Sequence, residues 1–246
     1  ENLKLIEDSV AFLKRHGCRV MYDAEHFFDG YKDDPGYAMK TVRAALEGGA
    51  ETLVLCDTNG GCLPSDIAKI VQATAQQLEA PMGIHTHNDS DLAVANALAA
   101  VEAGCRQVQG TINGYGERCG NANLVSLIGI LKLKMGIDCL PAAKQKELTK
   151  TSRYVAEVRN MAQRANQPFV GEAAFAHKGG VHVNAVMKNP RTYEHLEPST
   201  GVNERKILVS ELSGRASLVF IAKDLGLDLW RELTLLHGPK VAAILG

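Results

Sequence analysis

Two histidines, two residues apart, are the sharpest chemical feature of this sequence. His85 and His87 stand in the segment His85-Thr-His-Asn-Asp89, directly after a short apolar run. On a β-strand, residues i and i+2 project from the same face, so both imidazoles point to one side. Neutral imidazole nitrogens are good ligands for divalent metals. Because an H-x-H pair also arises often by chance, the pair alone leaves metal binding and a structural role equally open.

A glycine-rich polar segment, residues 110–121, is the second chemical feature. It reads GTINGYGERCGN and follows another apolar run. Glycines permit tight backbone turns close to a bound ligand. The spacing of Gly114, Gly116 and Gly120 misses the dinucleotide pattern G-x-G-x-x-G by one residue, and the segment follows the last predicted strand. We therefore reject a dinucleotide site, which leaves a ligand-contacting loop or a plain glycine-rich loop.

Alternating strands and helices must position these residues. Short apolar strands are predicted at residues 19–22, 52–56, 82–85 and 107–112. Amphipathic helices are predicted before the first strand, with Ile6, Val10 and Leu13 inward, and then up to Gly48, from Pro64, over about 90–103 and over 124–135. This alternation predicts a parallel sheet with right-handed crossovers, its strands buried on both faces.

Polar residues follow every predicted strand in phase. In a parallel α/β protein, ligands bind at the edge formed by the carboxyl ends of the strands. One polar cluster would be ordinary loop composition, but four in phase indicate a site at that edge. The four pairs are Asp23 and Glu25, Asp57 and Thr58, His85 and His87, and Thr111 and Asn113.

Composition narrows the class of partner. The net charge is -1, so no long-range field favours nucleic acid or an anionic membrane, and small-molecule substrates are expected. No apolar stretch is long enough to span a bilayer, and the first residues do not form a secretory signal. Six cysteines without a C-x-x-C pair indicate free thiols in a cytoplasmic protein, with Cys18, Cys56 and Cys105 in the core.

The character of the sequence changes at about residue 137. Residues 141–166 are predicted to form a polar helical hairpin, and residues 167–215 are rich in glycine, histidine and asparagine without a clear period. The last thirty residues return to helix-like spacing. The predicted domains are therefore residues 1–136, with the strand–helix units, and residues 137–246, a linker and subdomain that contributes to the site.

The sequence resembles a known enzyme family over nearly its whole length. Residues 85–104 and 106–124 are similar to the metal-binding and signature segments of the 2-isopropylmalate, homocitrate and citramalate synthase family. The resemblance continues through YDAEHFFDGYKDDP, LCDTNGG, residues 171–198 and residues 203–215. It implies an α/β fold, the partial (β/α)8 TIM barrel of strands 5–8, followed by a mainly helical C-terminal subdomain.

The resemblance also implies residue roles and cofactors. The family binds a divalent metal, Mg²⁺ or Mn²⁺ by its oxygen-rich chemistry, although two imidazoles also tolerate Zn²⁺. Acetyl-CoA is the second substrate, and the full-length members are usually homodimers. By position, the metal ligands would be His85, His87 and Asn121, the substrate-binding residues Thr58 and Asn184, and the catalytic residues His182, Tyr193 and Glu25.

The implied reaction is a Claisen condensation. His182 would remove a proton from the acetyl-CoA methyl group, directly or through water, with Tyr193 or Glu25 assisting. The segment DAEHFFDGY, and Asp91 where isopropylmalate enzymes usually carry glycine, resemble the citramalate synthases most. Pyruvate would then be the 2-oxoacid and citramalate, a precursor of isoleucine, the product.

Three alternatives stay open. A 2-isopropylmalate synthase of leucine biosynthesis would use 2-oxoisovalerate instead. A 3-hydroxy-3-methylglutaryl-CoA lyase would have a cysteine-bearing loop before the Gly-Asn pair. Here Cys119 comes immediately before Gly120, which favours a synthase, and Glu117 and Arg118 are expected to pair and shape the loop. The third is an inert half-barrel fragment. The family's first strand, with Asp-x-x-x-Arg-Asp-Gly, has no counterpart here, so we expect a fragment with weak metal binding and little activity.

Overall fold

The structure is a computed structural model that describes residues 1–198, 203–208, 222 and 225–227. The chain divides into two compact units, Glu1–Leu131 and Lys132–Gly246. The helix-like spacing predicted for the last thirty residues lies almost wholly outside the described residues.

The first unit alternates helices and strands around a four-stranded parallel sheet, which confirms the predicted α/β class. The strands, in spatial order, are β1 Met21–Ala24, β2 Thr52–Asp57, β3 Met82–Thr86 and β4 Gln107–Gln109. The helices are α1 Asn2–Arg15, α2 Phe27–Asp33, α3 Pro35–Glu47, α4 Pro64–Ala75, α5 Ala93–Glu102 and α6 Leu124–Leu133. Across the described part of the chain, no helix combines the length and apolar content needed to cross a membrane.

Local sequence signals set the ends of α3. The Asp34 carboxylate accepts a hydrogen bond from the Tyr37 amide at 2.9 Å, and Pro35 occupies the first turn. These residues satisfy or remove amide donors that a helix start leaves unpaired. After the helix, Gly48 lies so close to α1 that a Cβ there would be 2.6 Å from the Glu7 carbonyl oxygen. The glycine therefore lets the two helices pack in direct backbone contact.

The two faces of the sheet present different side chains. Leu55 and Ile84 are neighbours in register, and both are fully buried in the apolar core beneath the helices. The opposite face carries the alternate positions, among them Cys56, His85 and Gln109, which are also neighbours in register. Because side chains alternate along a strand, burial of the apolar face fixes which residues the polar face presents.

The polar face of the sheet is concave. The Gln107 Nε2 atom lies 3.0 Å from Met21 Sδ, and the Gln109 amide donates to Asp23 Oδ1 at 2.9 Å. These contacts join β4 to β1, the two edge strands, which would be about 14 Å apart in a flat four-stranded sheet. Side chains standing upright on a flat sheet could not meet across that span, so the sheet must be strongly curved.

Strands β1 and β4 and helix α2 depart from the sequence prediction. Strand β4 ends at Gln109, three residues before the predicted end at residue 112. Strand β1 begins at Met21, two residues later than predicted, because its register with β2 pairs Met21 with Thr52. Helix α2 is not predicted by the sequence pattern. It forms where Phe27 and Phe28 are 3% and 0% exposed, and burying one such side chain contributes about 1.5–3 kcal/mol. Core burial thus converts a segment flanked by acidic residues into a helix.

Short helices and a two-stranded parallel sheet make up the described part of the second unit. These are α7 Ala142–Gln145, α8 Leu148–Val158, β5 Ala176–His177, α9 Gly180–Lys188 and β6 Lys206–Ile207. The hairpin predicted over residues 141–166 is wrong, since α7 is a single turn and the chain after α8 is not helical. Asn160 adopts a left-handed φ of 54°, a conformation that often ends helices.

The cysteines are free thiols, as predicted. Cys56 and Cys105 are buried, but the prediction that Cys18 lies in the core is wrong, because it is exposed after the turn at Gly17. Cys62 is buried instead, 1% exposed.

Candidate metal centre

His85 and His87 lie side by side at the carboxyl end of β3. Their Nε2 atoms are 3.2 Å apart, and their ring centroids 5.1 Å. Two nitrogens bound to one cation at about 2.1 Å, in octahedral or tetrahedral geometry, are about 3.0–3.4 Å apart. The pair therefore has the spacing of two ligands of a single ion. The same separation suits a hydrogen bond between the rings, in which one Nε2 carries the hydrogen.

Protein groups on both sides hold the pair in place. His85 Nδ1 lies 2.8 Å from Gln109 Oε1, and the His87 amide donates to the Asp57 carbonyl at 3.3 Å. Burial lowers the pKa of His87, and the neighbouring His85 and Arg118 lower it further. This favours the neutral imidazole, which is the form that binds metal. The buried His87 Nδ1 has no hydrogen-bond partner among the described residues.

Asn121 lies beside the pair. Its backbone forms an isolated antiparallel bridge with His87, and the neighbouring Asn88 amide donates to the Gly120 carbonyl at 2.8 Å. The buried Asn121 Oδ1 has no hydrogen-bond partner within the described part of the chain. A Cβ at Gly116 would be only 2.2 Å from this oxygen. The loop thus closes over the amide through a residue that has no side chain.

This donor set fits a divalent cation. Two imidazole nitrogens and one unpartnered amide oxygen would fill three positions around the ion and leave the others to water or substrate oxygens. Burial raises the pKa of Cys56, the neighbour of His85 in register, to about 12, which disfavours the metal-binding thiolate form in the metal-free protein. Among the described residues, no cluster of three or more His, Cys, Asp or Glu side chains could hold a metal.

Arg118 ties the loops of this edge together. It binds Asp89 through two hydrogen bonds of 2.8 and 2.9 Å and donates to the Thr58 carbonyl at 2.7 Å. The expected pairing with Glu117 is therefore replaced by a pair with Asp89. The Arg118 hydrogen bond lowers the pKa of Asp89, as an ion pair requires. One guanidinium thereby links the chain segments that follow β2, β3 and β4.

Thr58 sits on the same edge and is held by its neighbour across the sheet. Its Oγ1 accepts a hydrogen bond of 2.7 Å from the His26 amide. His26 adopts a left-handed φ of 57°, with its ring 3.3 Å from Asp29 Oδ2. Asn59 also donates to Asp29, at 2.8 Å. Since its oxygen accepts from His26, the Thr58 hydroxyl can donate its own hydrogen to a ligand.

Glu25 follows β1 and is exposed. It lines a cavity of about 330 Å³ together with Tyr22, Thr41 and other residues of α1 to α3. Burial raises the pKa of Cys56 most, and the charges of Asp23 and Glu25 raise it further.

The predicted residues of the second unit do not all converge. The rings of His182 and Tyr193 stack, with centroids 4.2 Å apart. Asn184 lies two residues after His182 on α9, and residues i and i+2 of a helix do not face each other. The structure therefore brings the histidine and the tyrosine together and directs the asparagine elsewhere.

A buried ion-pair network supports this part of the second unit. Glu194, 6% exposed, lies 3.0 Å from His177 Nε2 and accepts two hydrogen bonds from Arg205, at 2.7 and 2.6 Å. Burial alone raises the pKa of Glu194, but the hydrogen bonds from Arg205 and His177 outweigh it, so the net pKa is lowered. His177 therefore has a structural partner next to Tyr193.

Sequence reasoning missed two residues of the first unit. Gln109 and Asp89 both lie in the segments that resemble the family, but the sequence predicts no role for them. Gln109 could have been found from the alternation of side chains along β4 together with the register that pairs it with His85. That register cannot be read from one sequence. Asp89 is recognisable in the sequence only as an acidic residue two positions after His87, and that position does not identify its partner.

Two protein families match this chain, and several known enzymes are similar to it. Residues 1–155 match the HMGL-like family, and residues 169–235 match the family described as homocitrate synthase post-HMGL domain-like. The (R)-citramalate synthase of Aquifex aeolicus is 54% identical over 93% of this chain and 44% of its own length. The 2-isopropylmalate synthase of Prochlorococcus marinus is 35% identical over 94% of this chain and 46% of its own.

A solved structure shares the fold. The N-terminal domain of a candidate aldolase from Bacteroides vulgatus superposes with a TM-score of 0.51 at 19% identity, over 65% of this chain and 52% of that one. The chain spans about half the length of the curated relatives it matches.

Proposed function

Because this chain belongs to the HMGL-like family, we propose that the protein is an acyltransferase of isoleucine biosynthesis that condenses acetyl-CoA with pyruvate. Water then hydrolyses the thioester of the condensation product, which gives citramalate and CoA. One observation carries the proposal. Two imidazoles, 3.2 Å apart, end strand β3 beside Asn121 in a chain 54% identical to an (R)-citramalate synthase. The 2-isopropylmalate synthase is 35% identical, which supports pyruvate over 2-oxoisovalerate.

The fold proposal is a partial (β/α)8 barrel. We propose that β1 to β4 correspond to strands 5–8, that residues 1–136 are the second half of the barrel, and that residues 137–246 are the linker and C-terminal subdomain. The contact between Gln109 and Asp23 supports it, since it requires the curvature of a barrel wall. The polar residues of the site lie at the carboxyl ends of the strands, the face that carries active sites in this fold.

The proposed metal ligands are His85, His87 and Asn121. A divalent cation bound there supplies Lewis-acid polarisation of the 2-oxoacid carbonyl. Mg²⁺ or Mn²⁺ is the expected metal, and the two imidazoles are also compatible with Zn²⁺. The protein's part is to hold two neutral imidazoles and one amide oxygen in place before the substrate arrives.

The remaining roles belong to side chains that can hold or move a proton. Thr58 donates its hydroxyl hydrogen to the substrate carboxylate, and Asn184 is proposed as a further substrate contact. His182 is proposed as the base that takes the methyl proton of acetyl-CoA, its ring stacked on Tyr193. Tyr193 and Glu25 are proposed to assist.

The alternatives have less support. A carbon–carbon lyase shares the HMGL-like family, but the match of residues 169–235 to a homocitrate synthase domain favours a synthase. An inert fragment would give neither metal binding nor turnover. The proposal further places the protein in the cytoplasm, acting on small molecules without nucleic acid or membrane, as a homodimer in its full-length form.

The test is a substrate comparison on the protein that contains this chain. Acetyl-CoA is supplied with Mn²⁺ and either pyruvate or 2-oxoisovalerate, and the free thiol of released CoA is followed with a chromogenic reagent. We expect kcat/KM with pyruvate to exceed that with 2-oxoisovalerate by at least about tenfold, or about 1.4 kcal/mol. Faster release with 2-oxoisovalerate would transfer the assignment to the 2-isopropylmalate synthases.

A further inference from the structure

Hydrogen bonds link three side chains across the concave face of the sheet, and the last of the three is His85. Asp23 Oδ1, at β1, accepts a hydrogen bond of 2.9 Å from Gln109 Nε2, at β4. The other end of the same amide, Gln109 Oε1, lies 2.8 Å from His85 Nδ1, at β3. The other ring nitrogen, His85 Nε2, lies 3.2 Å from His87 Nε2. The three residues thus connect the two edges of the sheet to one proposed metal ligand.

Hydrogen-bond chemistry gives this series of side chains a direction. An ionised carboxylate accepts hydrogen bonds only, so Asp23 must face the NH₂ end of the Gln109 amide. The carbonyl end, Oε1, then faces His85, and it too can only accept. His85 Nδ1 must therefore carry the hydrogen, and His85 Nε2 must carry the lone pair. A charged group at one edge of the sheet thereby sets the tautomer of a ring near the other.

We propose that Gln109, oriented by Asp23, is a positioning residue that holds His85 in the tautomer whose Nε2 lone pair is open to a cation. The inference rests on the proposed metal site and adds a positioning residue, Gln109, that the sequence pattern does not identify. The hydrogen-bonded series Asp23–Gln109–His85 is called the relay here. Without it, His85 can carry its hydrogen on Nε2, and that hydrogen would have to be removed before a metal binds. Supporting hydrogen bonds of this type change metal affinity by about 10–100-fold when they are lost.

The register of the sheet explains why a glutamine can serve here. Gln109 is the direct neighbour of His85, since the two residues pair in the β3–β4 ladder. Its side chain is long enough to contact His85 and still reach Asp23 across the curved face. An asparagine, one methylene shorter, would not span both partners.

The relay is tested by two readouts on matched variants. Nitrogen-15 NMR of the His85 ring in the metal-free protein reports which nitrogen carries the hydrogen, and Mn²⁺ titration followed by EPR reports affinity. We expect the hydrogen on Nδ1 in the wild type. The variant Gln109→Leu, which keeps the bulk and loses the acceptor, should populate the Nε2-protonated tautomer and bind Mn²⁺ about 10–100-fold more weakly.

A double variant separates positioning from simple damage to the fold. Gln109→Glu alone places two carboxylates against each other and should also weaken Mn²⁺ binding. Adding Asp23→Asn restores a donor facing an acceptor, because the new amide can donate to the new carboxylate, which still accepts from His85. The pair Asp23→Asn/Gln109→Glu should therefore recover the Nδ1-protonated tautomer and most of the affinity, an outcome that a merely structural role does not predict.

The experiment distinguishes failure of the positioning role from failure of the proposed function. If Gln109→Leu leaves both the tautomer and the Mn²⁺ affinity of a metal-binding wild type unchanged, the positioning role is overturned and the proposed metal site stands. If the wild type shows the expected tautomer but no Mn²⁺ binding, the proposed function falls, and the role of the relay in metal binding falls with it. Circular dichroism of each variant identifies any loss of fold.

Discussion

At the scale of single residues, the site is marked by a buried polar atom without a partner. Asn121 Oδ1 lacks a hydrogen bond within the described residues. Burying an unpaired polar group costs about 1–3 kcal/mol, a cost that coordination to a cation removes. The bare Cα of Gly116 covers the oxygen, so the geometry depends on a residue that has no side chain.

Gly116→Ala should therefore damage the site more than the fold. The new Cβ would be 2.2 Å from Asn121 Oδ1 and must push the amide aside. We expect Mn²⁺ affinity measured by calorimetry to fall at least about tenfold, about 1.4 kcal/mol. Gly61→Ala is the control, because a Cβ there meets no atom within 4 Å. Equal affinity in the two variants would show that Asn121 is not a ligand.

The residue types were readable from the sequence, and their partners were not. The i, i+2 spacing of His85 and His87 predicts a shared face, and the structure places the rings together. Arg118 looks like a partner of Glu117 in sequence, yet it binds Asp89, which is 29 positions away. Contacts of this kind depend on how loops from different strands meet, and one sequence carries no record of that meeting.

At the scale of elements, ion pairs hold segments in register. The Arg118–Asp89 pair joins the loops after β4 and β3, and it is solvent-exposed, so its role is geometric more than energetic. The Glu194 network is different, because the Glu194 side chain is 2% exposed and bound to Arg205 and His177. Arg205 immediately precedes β6, and His177 is in β5, so the network braces this small sheet.

Glu194 should make stability depend on pH. Its folded-state pKa is lowered from the ordinary value of 4.5, so its contribution is present above that value and is lost as pH falls through the folded-state pKa. Glu194→Gln should cost about 1.5–3 kcal/mol at neutral pH in urea unfolding and reduce the loss of stability on acidification. Glu172→Gln, at an exposed pair with Lys206, is the control and should change little. An unchanged acid dependence in Glu194→Gln would contradict this account.

The prediction of elements succeeded where an apolar run marks a buried strand, and it failed where tertiary contacts determine the structure. The strands at Thr52 and Met82 begin where the apolar pattern predicts. Helix α2 was missed because its seven residues form against the core through two phenylalanines, and too few apolar positions repeat to show a period. The hairpin predicted after residue 141 was based on a helical period in the sequence, but the helical structure ends before Asn160, which adopts a left-handed φ.

At the scale of the whole molecule, the first unit contains a curved parallel sheet, and the proposed metal ligands lie at the carboxyl edge of that sheet. The strand–helix period predicts the parallel sheet, and the structure confirms it. Curvature could not be predicted in the same way, because it appears only through contacts between the edge strands, such as Gln109 with Asp23. That the sheet belongs to a barrel is a proposal, and it rests on the family resemblance because the strand–helix period does not distinguish a barrel from an open sheet.

The central claim is that His85, His87 and Asn121 bind one divalent cation. The most direct measurement is an EPR titration with Mn²⁺, in which bound ion leaves the free-ion signal, on the wild type, His87→Ala and the control His16→Ala at the exposed end of α1. We predict one saturable site per chain in the wild type and in His16→Ala, and its loss in a folded His87→Ala. No saturable site in the wild type, or an intact site in His87→Ala, would contradict the account.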